Sequence, residues 1–258
     1  MKIIAFDLDR TLLRTDETLS PYTIQTMEAC ANAGYKLVVA TARSLYSTQL
    51  VCQHLSPHAI IHTGGAFAVA QDQVLYEALL SPQDTLRGVE ICMASPHVHH
   101  IRISGQAHEV TTNPAIPLWE LEFGHYRRIP VELLPEYANQ AATKITVCTD
   151  NPDAVAQLFQ HTSPLSFTPS NNTGSFGHKI SHQDATKEAA LARVADYFGA
   201  TLQDVLAFGD DMADVGMLSV CGDSVAVDNA IPQVKGVAKH ICPDNDHDGV
   251  ARYLQKLL

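Results

Sequence analysis

The chain predicts an α/β protein: a parallel sheet with crossover helices, interrupted by an inserted α+β unit. Three observations lead there. The first 80 residues alternate short apolar strand patterns with capped helix patterns, the segment from about Ser81 loses that alternation, and the alternation resumes near Ala185.

The elements follow in order. Lys2 to Phe6 is a short apolar strand, and Ser20-Pro21 opens a helix, with serine at the cap, proline in the first turn and Gly34 as the stop. Lys36 to Ala40 is a second strand, Ser44 to Leu55 a helix and Ala59 to His62 a third strand. Ala66 to Ala70 and Val74 to Ala78 form a hairpin turning at Gln71-Asp72. This β-α-β-α-β order is the start of a parallel sheet. The insert carries strand patterns at His99 to Ser104, Lys144 to Cys148 and Ser166 to Pro169, with helices at Pro82 to Ala94 and Pro152 to His161. A helix from Ala185 to Phe198, a strand Val205 to Phe208, a helix from Met212, a strand Ser224 to Val227 and a final helix from Asp248 complete the sheet domain. The expected domains are a discontinuous 1–81 plus 185–258 and an inserted 82–184.

Composition narrows the function classes. A net charge of −11 argues against nucleic acid or an anionic membrane as partner, because both require a basic footprint. No apolar block approaches the roughly 20 residues needed to cross a bilayer, and the N-terminus reads as a strand, so a soluble cytoplasmic protein is expected. Six cysteines without a Cys-x-x-Cys pair read as reduced thiols.

In open parallel sheets the ligand site lies beyond the carboxyl ends of the strands. Asp7, Thr41 and Asp210 each stand at such an end, so topology brings them to one rim although they lie 34 to 203 positions apart. Asp7 and Asp9 leave on the same side while the chain stays extended. Two carboxylates in one site do not both behave as free acids, which provides a nucleophile, Asp7, and a proton donor and acceptor, Asp9. Alone, an Asp-x-Asp after a strand reads first as a turn in which carboxylates cap amides, and the other segments reverse that reading. Asp210 and Asp214, four apart, fall on one helix face. With Asp7 and Asp9 they supply more negative charge than a pocket holds without a cation, and oxygen-only ligands beside phosphate point to Mg2+. Thr41 offers a hydroxyl and the following N–H to a phosphoryl oxygen, and is otherwise an ordinary cap. Lys187, in the first turn of a helix, opposes the dipole there and is expected to hold phosphate and nucleophile together.

The segments Asp7-Leu8-Asp9-Arg10-Thr11-Leu12, Ala40-Thr41-Ala42-Arg43, Lys187 and Gly209-Asp210-Asp211-Met212-Ala213-Asp214 together resemble the four motifs of the haloacid dehalogenase (HAD) superfamily, and the length and large insert look like its Cof-type sugar-phosphate phosphatases. The resemblance implies a Rossmann-like core with an α/β cap and Mg2+-dependent phosphomonoester hydrolysis of small phosphorylated metabolites through an aspartyl-phosphate. It implies that Asp7 is nucleophile and metal ligand, and that Asp9 is acid and base with its backbone carbonyl on the metal. Thr41, Ala42 and Lys187 would bind phosphate, and Asp210 would complete the metal site with Asp214 adjacent. The cap would close over the rim, with Arg102, His178 and Lys179 as candidates for reading the leaving group.

Three positions depart from the family pattern: Arg10 and Ala42 stand where it has glycine, and Ala213 where it has asparagine. The last removes a phosphate-contacting amide worth about 1–3 kcal/mol, which predicts weaker phosphate binding. These departures motivate a silent phosphate-binding or regulatory module as the alternative. A phosphotransferase on the same core is another, although those enzymes carry smaller caps elsewhere in the chain. His97, His99 and His100, and His54, His58 and His62, are weak metal patterns: Pro57 interrupts the second and the first alternates along a strand. Asn171-Asn172-Thr173-Gly174 reads as a hairpin turn and Trp119 as packing.

Overall fold

A computed structural model describes residues 2–105, 109–115, 126–169 and 177–258. The turn at Asn171 and Trp119 lie outside the described residues. The chain divides into two compact units, Met1–Glu77 with Ala185–Leu258, and Ala78–Asp184.

The first unit contains strands β1 (Ile3–Phe6), β2 (Lys36–Ala40), β3 (Ala59–His62), β4 (Phe67–Ala70) and β5 (Gln73–Glu77). The second contains β6 (Val98–Gly105), β7 (Glu109–Thr111), β8 (Tyr126–Arg128), β9 (Ala142–Thr149), β10 (Leu165–Thr168) and β11 (His178–His182). The chain then returns to the first unit for β12 (Val205–Gly209), β13 (Asp223–Val227) and β14 (His240–Cys242).

The sheet of the first unit runs β14-β13-β12-β1-β2-β3-β4-β5. From β14 to β3 every pairing is parallel, and β4 and β5 close the edge as an antiparallel hairpin. All four residues of β1 are fully buried, as expected of a parallel strand covered on both faces. Each fully buried Ile or Phe there contributes about 1.5–3 kcal/mol relative to exposure. Gln71 and Asp72 both have positive φ, 48° and 64°, the left-handed pair that a tight hairpin requires.

Helix starts follow their side chains. Ser20 and Ser44 accept from the amides of Thr23 and Ser47, and proline occupies the first turn at Pro21. The second expected helix is shorter than its pattern, Leu45–Val51, because the chain turns before the Pro57 segment. Helix Pro232–Val237 and the three-residue strand β14 have signals too short to be expected from the sequence.

The second unit is a sheet in the order β10-β11-β9-β6-β7-β8, antiparallel except for β7 with β8. One face packs Ile101, Ile103, Ile145, Val147 and Ile180 into a core with Val89, Leu134, Val155 and Phe159 from its helices. Among the described residues no helix is long and apolar enough to cross a membrane.

Candidate active site

Three adjacent strands, β12, β1 and β2, end side by side, and the residue following β1 is Asp7. The Asp7 amide donates to the Phe208 carbonyl at 3.1 Å, which extends the pairing one residue past the strand and fixes the direction of its side chain. The chain then leaves the extended conformation. Leu8–Leu12 forms a tight irregular turn, with Asp9 at φ −66°, ψ 121° and Arg10 at φ 58°, ψ 10°. The sequence expectation that Asp7 and Asp9 share one side requires an extended chain, and this turn separates them.

Lys187 lies opposite Asp7. Its helix, Lys187–Tyr197, buries Lys187, Ala190, Leu191, Val194 and Ala195, a spacing that places the lysine first in the apolar stripe. The stripe is what buries the ammonium. Lys187 Nζ donates to Asp7 Oδ1 and to Asp214 Oδ1, both at 2.7 Å. Gly65, at φ 92°, allows this helix to start where it does: a Cβ there would lie 2.2–2.6 Å from the backbone of Thr186 and Lys187.

Asp210 follows β12. Thr11 Oγ1 donates to its Oδ1 at 3.0 Å, and its carbonyl accepts from the Ile231 amide at 3.0 Å. Asp214 Oδ2 accepts from the amides of Asp210 and Asp211 at 3.1 and 3.2 Å, so this carboxylate braces the loop and the lysine together. A Cβ on Gly209 would lie 2.5–2.8 Å from the Asp214 side chain, which makes glycine necessary for that closure.

The carboxylates of Asp7, Asp210 and Asp214 are buried, and their ligand atoms lie within 4.8 Å of one another. Burial pushes the Asp7 carboxyl up to about 8; Lys187 pulls it down and Asp214 pushes it further up. Burial and Asp214 raise Asp210 to about 6 against the Thr11 hydrogen bond. Burial disfavours the Lys187 charge, yet Asp214 and Asp7 outweigh it and hold the ammonium above its ordinary range. Three carboxylates around one ammonium leave an excess of negative charge, and an excess in hard oxygen donors suits a hard divalent cation. The donor set fits Mg2+. Asp7 and Asp210 each give one oxygen to a described donor, whereas Asp214 gives both, so Asp7 and Asp210 retain the better-placed metal-binding capacity.

Asp9 stands apart from this group. Its carboxylate is gripped by Arg43, from Nε to Oδ2 at 2.9 Å and to Oδ1 at 3.1 Å, with Nη2 on Oδ1 at 2.5 Å. The guanidinium also donates to Glu17 Oε2 at 2.9 Å, and the Asp9 hydrogen bond holds its charge above the ordinary arginine range. Arg43 has no role in the sequence reading, although it closes the second motif; its signal is spatial, because its carboxylate partner lies 34 residues away.

Thr41 is fully buried at the end of β2. Its amide donates to Ile61, its hydroxyl accepts from the Arg43 amide at 3.2 Å, and its carbonyl accepts from Gly64. Ala42 is exposed beside it. Thr41, Asp7 and Asp210 therefore close three neighbouring strands, with Lys187 entering from a helix.

The candidates in the second unit separate. Arg102 and Lys179 both register with Thr146, so they share the sheet face away from the core. His178 registers with Val147 on the opposite face and stacks on Phe167, with ring centroids 5.5 Å apart. Among the other histidines, His97 and His99 pair with Asp150 at 3.0 and 3.1 Å. His58 accepts from the Leu37 amide, and His62 stacks on Phe67. The six cysteines are free thiols, five of them buried.

A family model described as haloacid dehalogenase-like hydrolase matches residues 4–254. The 5-amino-6-(5-phospho-D-ribitylamino)uracil phosphatase YitU of Bacillus subtilis is 26% identical, over 98% of this chain and 96% of its own length. HMP-PP phosphatase of Enterobacter sp. is 27% identical over 93% and 89%. Among solved structures, the HAD subclass IIB sugar phosphatase BT4131 superposes with a TM-score of 0.81 at 19% identity, covering 100% of this chain and 99% of the other. The phosphatase BT1666 of Bacteroides thetaiotaomicron gives 0.83 at 20%, covering 99% and 94%. With the buried carboxylates and nearly all of the sheet inside the matched span, the chain belongs to the haloacid dehalogenase-like hydrolases and is a phosphatase of that family.

Proposed function

We propose that the protein hydrolyses phosphomonoesters of small phosphorylated metabolites, sugar phosphates among them, through a phosphoryl group carried on Asp7. The observation that carries this reading is the buried Asp7 at the end of the central strand, 2.7 Å from Lys187 and grouped with Asp210 and Asp214. The names of the similar proteins support the substrate class, since they include a sugar phosphatase and a phosphoribitylaminouracil phosphatase.

In the first half-reaction an Asp7 oxygen attacks phosphorus in line as the ester P–O bond breaks, and Asp9 gives a proton to the departing alcohol oxygen. In the second, water attacks the phosphorus, Asp9 takes its proton and the Asp7 carboxylate is released. The Thr41 hydroxyl, the Ala42 N–H and the Lys187 ammonium bind the phosphoryl oxygens and offset their charge. Asp7 and Asp210, with the Asp9 carbonyl that the family pattern implies, would hold Mg2+, which supplies positive charge to the phosphoryl group when bound. Asp214 acts through Lys187 and the Asp210 loop, which it holds in place.

The test is phosphate release from a panel of phosphomonoesters with and without Mg2+, with Asp7→Asn as control. Activity that needs Mg2+ and falls at least about 1,000-fold in the variant supports the reading. Binding of phosphate esters without turnover by the wild type would instead support a silent module, which the departures at Arg10, Ala42 and Ala213 motivate.

A further inference from the structure

We propose that Arg43 is a positioning residue for this phosphatase: it holds the Asp9 carboxylate in the orientation from which Asp9 exchanges protons with the leaving oxygen and with water. The inference rests on the hydrolytic reading above.

The geometry is that of a clamp. Arg43 meets both oxygens of Asp9 through Nε and Nη2, and Nη2 also reaches Glu17 at 2.9 Å. Nη1 lies 3.4 Å from Ser47 Oγ. The backbone of Arg43 is fixed as well: its amide donates to the Thr41 hydroxyl at 3.2 Å and its carbonyl accepts from the Thr63 amide at 2.7 Å. The clamp is thus anchored on the same loop that offers Thr41 and Ala42 to phosphate. The Arg43 side chain is 16% exposed, whereas Asp9 is 46% exposed. A half-exposed aspartate would sample its rotamers freely, and a planar fork on both oxygens selects one. Half-exposed ion pairs add little to stability, so global stability is a poor explanation for three charged side chains converging here. Lysine offers a point charge and not a fork, so it does not replace arginine in this role.

The role makes an ester-dependent prediction. In the first half-reaction the bond from Asp7 to phosphorus forms, the ester bond breaks and the Asp9 proton moves to the departing oxygen. An alkoxide needs that proton, whereas p-nitrophenolate leaves as a stable anion without it. A misplaced Asp9 therefore penalises alkyl esters selectively.

First-turnover rates with enzyme in excess, on 2-glycerol phosphate and on p-nitrophenyl phosphate with Mg2+ present, test this. Arg43→Ala is expected to slow glycerol release about 100-fold and nitrophenolate release less than about 5-fold, and Asp9→Asn is expected to show the same asymmetry. Arg43→Lys should stay closer to Arg43→Ala than to wild type, and Glu17→Gln, a milder change, should give a few-fold effect in the same ester-selective sense, roughly as expected of a bracing partner. In the Asp9→Asn background, Arg43→Ala should add almost nothing. Equal slowing of both esters, or a full additional effect on top of Asp9→Asn, overturns the inference and leaves the phosphatase reading intact. A wild type inactive on both esters, or an Asp7→Asn variant that remains active, overturns the phosphatase reading itself and the role of Arg43 with it.

Discussion

Asp7 is buried against Lys187 at 2.7 Å, whereas Asp9, two positions later, is 46% exposed and held in the fork of Arg43. The turn Leu8–Leu12 creates this contrast by sending the two side chains into different surroundings within one motif. On the buried side, position is fixed by packing, and the charges are fixed because removing any one strands the others. On the exposed side, position depends on a single cation, and the group keeps access to water. The proposed nucleophile has the first environment and the proposed proton carrier the second.

The largest effect should come from breaking the buried half. Lys187→Met leaves the Asp7 and Asp214 carboxylates without their cation, and an unfolding cost of about 3–5 kcal/mol is expected, measured by urea titration. Arg43→Ala on the exposed side should cost about 0–1 kcal/mol in the same assay. Similar losses for the two variants would erase the distinction between the halves.

A second buried group tests the same rim by pH. Burial lowers His62, at the end of β3, from 6.5 to about 4, so it is neutral when folded and takes a proton on unfolding. Its contribution is complete above pH 6.5 and is lost as the pH falls through about 4. The loss should reach about 3 kcal/mol as the difference between wild type and His62→Leu, read from unfolding midpoints of both proteins between pH 4 and 7, because the raised Asp7 and Asp210 carboxyls act in the opposite sense in both.

The exposed loops should give smaller effects. Ala213→Asn is expected to lower the Michaelis constant for phosphate esters by the equivalent of about 1–3 kcal/mol, and an unchanged constant would remove residue 213 from phosphate contact. Arg10 has φ 58°, a left-handed conformation that costs a side-chain-bearing residue energy and costs glycine none. Arg10→Gly keeps the backbone carbonyl that accepts from Asn229 at 2.7 Å and should therefore stabilise the protein by about 0.5–1 kcal/mol, read by urea titration.

The core of the first unit is legible because its strands are short β-branched or apolar blocks ending in the residues of the candidate site. Asp7 after Phe6, Thr41 after Ala40 and Asp210 after Gly209 are examples. In the second unit β7 and β8 have three residues each, and β11 reads His-Lys-Ile-Ser-His, too polar to show a pattern, although its one central isoleucine is fully buried. Lys187 stands out in the sequence by its place at a helix start, while the stronger signal is its membership of the buried stripe with Ala190, Leu191 and Val194. The Arg43 clamp was not legible, because nothing local to Ala42-Arg43 specifies which of the surrounding carboxylates it will hold.

The central strand β1 pairs with β2 on one side and β12 on the other, and the lysine that neutralises Asp7 arrives only at residue 187. During vectorial synthesis, the N-terminal third emerges from the ribosome with five of the eight strands of its sheet, with β1 lacking one of its two neighbours and Asp7 lacking its lysine. The nascent polypeptide must then wait through more than a hundred codons of inserted sequence before the missing ladder and the counter-charge become available. A chain stopped anywhere in that interval leaves one edge of β1 unpaired and cannot assemble the acidic cluster around Lys187.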